Sequence, residues 1–280
     1  MIAPAIGAVR QGSGMDQGIV YIVHGARFVE EALLSIGTVR RWMPDTPVTV
    51  FTDAGDDPRL HRPGVSVVST PGPAPGANPY IGKVETMARS PYGRTLFLDS
   101  DTVLVDGVGE IFGMLDRFDV AAAQEWALVS HPVAGEEGDV PLPDAFPEYN
   151  TGVLAFRRGG AADELLRLWA EGFRAHVAAG LKVHDQPAFR QALWRSGARL
   201  LTLPALYNFR VNLQSSAQVA KGRVRIVHGR HPDLSGLAEA INRDEGRRLV
   251  TCRPSLPVFW VDPQTWQARE EPRPAASPVR

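Results

Sequence analysis

Arg94-Thr-Leu-Phe-Leu-Asp99-Ser-Asp101-Thr-Val-Leu-Val-Asp106-Gly107 decides how this chain is read. Thr95 to Leu98 is an apolar run of strand length, followed by two carboxylates one residue apart and then a second apolar run. Such a strand delivers its acids to the C-terminal edge of an open α/β sheet, where ligands bind. Two hard oxygen donors there suit Mg²⁺ or Mn²⁺ carrying a phosphate better than they suit zinc. Asp and Ser are also ordinary turn residues, so the same letters describe a strand ending in a polar turn.

Working outward, 280 residues fit one elaborated α/β domain, and 44% hydrophobic with 22% charged residues is the composition of a chain that buries a large core. A net charge of −1 offers no basic field for nucleic acid. The single cysteine, Cys252, excludes an intrachain disulfide and a multi-cysteine zinc site, and fits a reducing compartment. No apolar run reaches the length of about 18 residues that marks a membrane span, and the N-terminal stretch lacks a charged segment followed by an apolar core. A cytoplasmic protein with no transmembrane segment is the expectation.

Residues 1–17 lack periodicity and read as a loose arm. Gly18-Ile-Val-Tyr-Ile-Val23 is a continuous apolar run, as expected of a strand covered on both faces. After His24-Gly25, the positions Val29, Ala32, Leu33, Ile36 and Val39 keep helical spacing. Val48 to Phe51, Val65 to Val68, Asp119 to Ala123, Gly152 to Phe156, Arg199 to Leu203 and Val224 to Val227 read as further strands, with helices at Ile81 to Ala88 and Val108 to Leu115. Ala162, Leu165, Leu166, Trp169, Phe173 and Val177 mark the clearest helical stripe. Asp185 reads as the N-cap of a helix with Pro187 in its first turn, and another helix is expected from Asp233 to Asp244. Residues 267–280 are Pro-rich and read as a disordered tail. Trp126 to Tyr149, rich in Pro and acids, is too long for an ordinary connection and reads as a functional loop. Its Trp126, Phe146 and Tyr149 are candidates to stack on an apolar sugar face or an aglycone, and Glu136, Glu137, Asp139 and Asp144 to bind hydroxyls or a cationic acceptor.

Lys83, then Asp99-Ser100-Asp101, then Asn150-Thr151-Gly152, then Asp185-Gln186, then His228-Gly229-Arg230 follow one another along the chain. That order resembles the GT-A glycosyltransferases of the glycogenin and lipopolysaccharide-galactosyltransferase type, glycosyltransferase family eight, over roughly residues 18 to 232. The resemblance implies a single Rossmann-like GT-A domain over residues 18–266, with a mixed, mainly parallel central sheet flanked by helices. It implies Mn²⁺ (or Mg²⁺) held by Asp99, Asp101 and His228, and a nucleotide-sugar donor, UDP-linked in most relatives. The family's Lys-Pro-Trp ending after the histidine motif is absent.

The same resemblance sets Val23, His24, Gly25, Thr52 and Asp53 around the nucleotide. Lys83, Ser100, Asn150, Thr151, Gly152, Asp185, Gly229 and Arg230 then lie around the sugar and diphosphate. Lys83, Asp185 and Gln186 are the candidates for a role in the chemistry, which is transfer of the sugar to an acceptor hydroxyl with retention of configuration. Neither the sugar nor the acceptor is specified. Two other readings stand beside this one. Asp99-Ser-Asp101-Thr-Val-Leu104 also fits the nucleophile motif of haloacid-dehalogenase-type phosphatases, although that motif normally opens a chain. The fold also suits a non-catalytic protein that binds a nucleotide sugar.

Overall fold

The structure, a computed structural model, describes residues 16–270 apart from 75, 126–141, 181–183, 212–216, 254–257, 263 and 266. Along the chain run β1 (Gln17–Val23), α1 (Ala26–Trp42), β2 (Val48–Thr52), β3 (Val65–Ser69), α2 (Ile81–Met87), β4 (Arg94–Leu98), β5 (Thr102–Leu104) and α3 (Glu110–Met114). Then come β6 (Val120–Gln124), β7 (Tyr149–Arg157), α4 (Gly160–Ala178), α5 (Gln186–Ser196), β8 (Leu200–Leu203), a 3₁₀ turn (Ala205–Tyr207) and β9 (Phe209–Arg210). The chain ends with β10 (Ala217–Ala220), β11 (Ile226–His228), α6 (Leu234–Ala240), β12 (Arg248–Thr251), β13 (Val258–Val261) and β14 (Ala268–Glu270).

The central sheet has seven strands in the order β3-β2-β1-β4-β7-β6-β8. Only β7 runs against its neighbours in this sheet, so the sheet is mixed and mainly parallel. Both faces are covered, which is why β1 and β4 read as unbroken apolar runs rather than alternating ones. Ile19, Tyr21, Leu96 and Leu98 pack under α1 and α3 on one face, while Val20 and Phe97 pack with Trp169 and Phe173 of α4 and Phe189 of α5 on the other. From β1 the chain steps outward through β2 and β3, then returns to place β4 on the other side of β1. The gap between the C-terminal ends of β1 and β4 is therefore a topological switch point, where open α/β sheets form their binding crevice.

A three-stranded sheet, β5-β11-β9, sits beyond the end of β4. Its register sets Thr102 of β5 opposite His228, and His228 beside Arg210 of β9. A separate four-stranded sheet, β10-β12-β13-β14, carries the C-terminal segment. Ala268–Glu270 pairs with β13, so the sheet runs three residues into the stretch read as a disordered tail. Backbone pairing outweighs a Pro-rich composition there. The helix expected over Asp233 to Asp244 is shorter, Leu234–Ala240, with Asp233 accepting from the Gly236 N–H as its cap. Residues 1–15, 126–141 and 271–280 of the expected arm, loop and tail lie outside the described residues. Among the described residues no helix is long and apolar enough to cross a membrane.

Candidate metal centre and the buried network beside it

The turn after β4 is built by Thr102. Its hydroxyl donates to the Asp99 carbonyl at 2.8 Å, and its oxygen lies 3.2 Å from Ser35 Oγ of α1, which in turn meets the Tyr21 hydroxyl at 2.7 Å. Because β5 pairs with β11 in the register Thr102 to His228, the histidine lands against the acids. The Gly229 N–H then donates to the Asp101 carbonyl at 2.9 Å. Gly229 has φ +127°, and a Cβ there would collide with the Val211 carbonyl oxygen, so only glycine makes this approach.

Asp99, Asp101 and His228 each bring one ligand atom within 4.8 Å of the others, and this group can hold a metal ion. His228 Nε2 lies 3.4 Å from Asp101 Oδ1 and 3.8 Å from Asp99 Oδ2. The histidine side chain is 3% exposed and the Asp99 side chain 29%, so the imidazole forms the floor and Asp99 faces the opening. The donor set fits a divalent cation: two hard carboxylates and one imidazole, with no thiolate. Room for it comes from Gly152 on β7, where a Cβ would overlap His228 Cε1 and stand 2.5 Å from Asp99 Oδ2.

Lys83 of α2 is not the solvated lysine that a helix surface would give. It is buried, with Nζ 3.1 Å from Asp99 Oδ1, 3.3 Å from Asp185 Oδ2 and 3.2 Å from Thr151 Oγ1. Burial alone would draw its ammonium pKa down, but Asp185 and Asp99 hold it above the ordinary lysine value. For Asp99 burial dominates and pushes the carboxyl up, against the pull of Lys83.

Asp185 occupies the N-cap position of α5, yet its side chain caps nothing. Pro187 has no N–H to offer at the second helical position, and the carboxylate turns instead to Lys83 and to the Thr151 hydroxyl, which donates to it at 2.8 Å. The expected capping role is thus replaced by a buried ion pair. Asp185→Ala should cost about 3 kcal/mol, the low end for breaking a buried pair because Asp99 still faces Lys83, where loss of a cap would cost about 1 kcal/mol. Urea denaturation of the metal-free protein measures this, and a loss under 1 kcal/mol would mean the pair contributes nothing.

Asn150 and Thr151 lie within β7, which is longer than the expected strand, rather than in a turn. Asn150 Oδ1 accepts from the Gly152 N–H at 3.0 Å and from Asn208 Nδ2 at 2.9 Å. Asn150 Nδ2 donates to Glu125 Oε2 and to Gln186 Oε1, both at 2.9 Å. Gln186 Nε2 donates to Glu148 Oε1 at 3.1 Å. Glu31, Glu125, Glu148, Asn208 and Arg210 are the residues of this region that the sequence reading did not single out. Glu31 of α1 accepts from Ser100 Oγ at 2.9 Å and from Arg230 Nε at 2.8 Å, so it aligns both beside Asp101.

The expected nucleotide contacts gather at the same sheet edge. The Gly25 N–H donates to Asp53 Oδ1 at 2.9 Å, joining the ends of β1 and β2, and the Thr52 hydroxyl accepts from the Ala54 N–H at 3.0 Å. Val23 is buried at the end of β1, and His24 Nε2 lies 3.0 Å from Thr70 Oγ1. A Cβ on Gly82 would lie 3.0 Å from His24 Cε1, which places His24 beside the start of α2 and Lys83.

The aromatic residues expected to stack on an acceptor are mostly committed elsewhere. Tyr149 is a buried residue of β7 with its hydroxyl 2.9 Å from Thr202 Oγ1, and the Phe146 ring packs edge-on against Trp194 at 5.0 Å. Trp126, Glu136, Glu137 and Asp139 lie outside the described residues. A cavity of about 390 Å³ between α1, β5 and α6, lined in part by Trp42, Val103 and Val105, includes none of the metal-site side chains. Models of known protein families give no match to this chain, and neither do curated proteins compared by sequence.

Proposed function

We propose that this protein is a metal-dependent glycosyltransferase that moves a sugar from a nucleoside diphosphate sugar, UDP-linked, to an acceptor hydroxyl with retention of configuration. One observation carries the reading: two carboxylates and an imidazole converge at the switch point of the sheet with a buried lysine against one of them. Breaking a sugar–phosphate bond leaves a diphosphate with added negative charge, and Mn²⁺ held by Asp99, Asp101 and His228 would supply Lewis-acid stabilisation of it. Arg230, held by Glu31 with Nη1 3.6 Å from Asp101 Oδ2, adds positive charge on the same side. Val23, His24, Gly25, Thr52 and Asp53 form the nucleotide end of the crevice.

Lys83, Asp185 and Asn150 border the place for the donor sugar. Gln186 has both ends of its amide engaged, by Asn150 and by Glu148, so it offers a fixed face to the sugar. An amide is a poor nucleophile. Retention then follows from front-side attack, with the acceptor hydroxyl's proton passing to the leaving phosphate. Gln186→Ala should lower turnover about tenfold or more by loosening sugar placement. It should also cost about 1–3 kcal/mol, because Asn150 and Glu148 each lose a buried partner.

Incubation of the protein with UDP-sugars and Mn²⁺ tests the reading. Slow release of UDP, abolished by EDTA, is the expected result. Hydrolysis of simple phosphomonoesters in its place would make the protein a phosphatase, and binding without turnover would make it a nucleotide-sugar-binding protein.

A further inference from the structure

The Gly152 backbone N–H can only donate, and from it the orientation of the amides around it follows. The Gly152 N–H meets Asn150 at 3.0 Å, so the atom facing it is the Asn150 carbonyl oxygen. The Asn150 NH₂ then faces the Glu125 carboxylate at 2.9 Å, an acceptor as required. Asn208 approaches the same Asn150 oxygen at 2.9 Å and must do so with its NH₂. The carbonyl oxygen of Asn208 is left facing His228 Nδ1 at 2.7 Å, so that nitrogen carries a proton. With Nδ1 protonated, a neutral imidazole has its lone pair on Nε2. Arg210 Nη1, 2.9 Å from Nε2 and 3.0 Å from Nδ1, is nearly equidistant from the two and so lies over the ring face rather than on either in-plane lone pair. The gaps from Nε2 to the two carboxylates, 3.4 and 3.8 Å, are longer than an N–H···O bond and agree with a ring that does not donate there.

We infer that Asn208 is a positioning residue that fixes His228 in the tautomer protonated at Nδ1, so that the Nε2 lone pair faces Asp99 and Asp101. Asn208 is buried, and it ends the 3₁₀ turn that leads into β9, the strand lying beside β11. The same side chain therefore ties the metal end of the site to Asn150 and, through it, to Gln186. The metal-binding consequence rests on the proposed reading of Asp99, Asp101 and His228; the tautomer does not.

Protein labelled with ¹⁵N-histidine, free of metal and at a pH where imidazole is neutral, reports the tautomer directly in a two-bond ¹H–¹⁵N correlation spectrum. The seven histidines are sorted by the signals lost in His228→Gln. His228 is expected to show a protonated Nδ1 and an unprotonated Nε2 in the unsubstituted protein, and the reverse pattern overturns the inference. Asn208→Leu should lose that fixed pattern and weaken Mn²⁺ binding, followed by electron paramagnetic resonance, about 10–100-fold. Asn208→Asp keeps an acceptor toward Nδ1 and loses the donor toward Asn150. It should retain the tautomer and the Mn²⁺ affinity while losing UDP release. Unchanged Mn²⁺ affinity and tautomer in Asn208→Leu would remove Asn208 from this role, and should that variant fail to fold, the unsubstituted and Asn208→Asp proteins still decide it. Absence of Mn²⁺ binding in the unsubstituted protein, with the expected tautomer present, would sink the metal reading and leave the tautomer assignment standing.

Discussion

Asp101→Asn is expected to lose Mn²⁺-dependent UDP binding and turnover and to lower the melting temperature of the metal-free protein at neutral pH. Without a cation, burial pushes the Asp101 carboxyl up, but His228, Arg230 and Arg210 outweigh it and hold the carboxyl below the usual carboxylate range, so neutralising it loses net attraction. With a cation the loss is larger, because a ligand is gone. Loss of a hydrogen-bond partner to a ligand already costs about 10–100-fold in affinity, so loss of a ligand should cost at least about 100-fold. Asp99→Asn should lose binding equally and melt earlier for a different reason: Asp99, at 3.1 Å, and Asp185, at 3.3 Å, are the two counter-charges of the buried Lys83 ammonium. Titration calorimetry with Mn²⁺ and UDP, paired with thermal melts, measures both losses. UDP binding that survives EDTA in the unsubstituted protein would show that no metal bridges protein and nucleotide.

The difference between those two aspartates shows where sequence reading stops. That β1 and β4 are buried strands follows from their unbroken apolar runs, and the α4 stripe from its helical spacing, since each pattern reports a local environment that one element's neighbours impose along its whole length. The acids at the end of β4 were legible for the same reason. What brings His228 to them is a short pairing between β5 and β11, segments far apart in the chain and only three residues each, and such pairings leave no periodic trace. Asp185 before Pro187 carries the letters of a helix cap. Whether it caps or neutralises a lysine depends on Lys83, which arrives from another helix. Glu125, Glu148 and Asn208 are polar residues at strand and turn ends, indistinguishable by pattern from solvated ones. Each is buried against a partner from another segment: Gln186 of α5 reaches Glu148, and Asn150 of β7 reaches Glu125 and Asn208. The strand Ala268–Glu270 was hidden by its Pro-rich surroundings, where composition outweighed a pairing that only the neighbouring strand reveals.

Gly152→Ala is expected to have the largest effect of any single-methyl change in the site: no measurable Mn²⁺ binding, no turnover, and a folded state weakened by about 1–3 kcal/mol. The glycine is not needed for backbone conformation, since it lies within the regular strand β7. It is needed for space. A Cβ would overlap His228 Cε1, with His228 Nε2 at 2.8 Å and Asp99 Oδ2 at 2.5 Å, so both ligands stand against it. The strand cannot retreat, because the Gly152 carbonyl accepts from the Asp99 N–H at 2.8 Å and its N–H is held by Asn150 at 3.0 Å. His228 cannot swing freely either, because Asn208 holds Nδ1 at 2.7 Å. The added methyl must therefore displace a metal ligand or push β7 off β4, and either movement separates atoms that have to converge on one ion. Circular dichroism and urea denaturation establish whether the variant is folded, and paramagnetic resonance of Mn²⁺ reports binding in the folded fraction. A folded Gly152→Ala protein that binds Mn²⁺ as tightly as the unsubstituted chain would mean that the ion sits away from Asp99 and His228. The proposed chemistry would then have no metal at the switch point of the sheet.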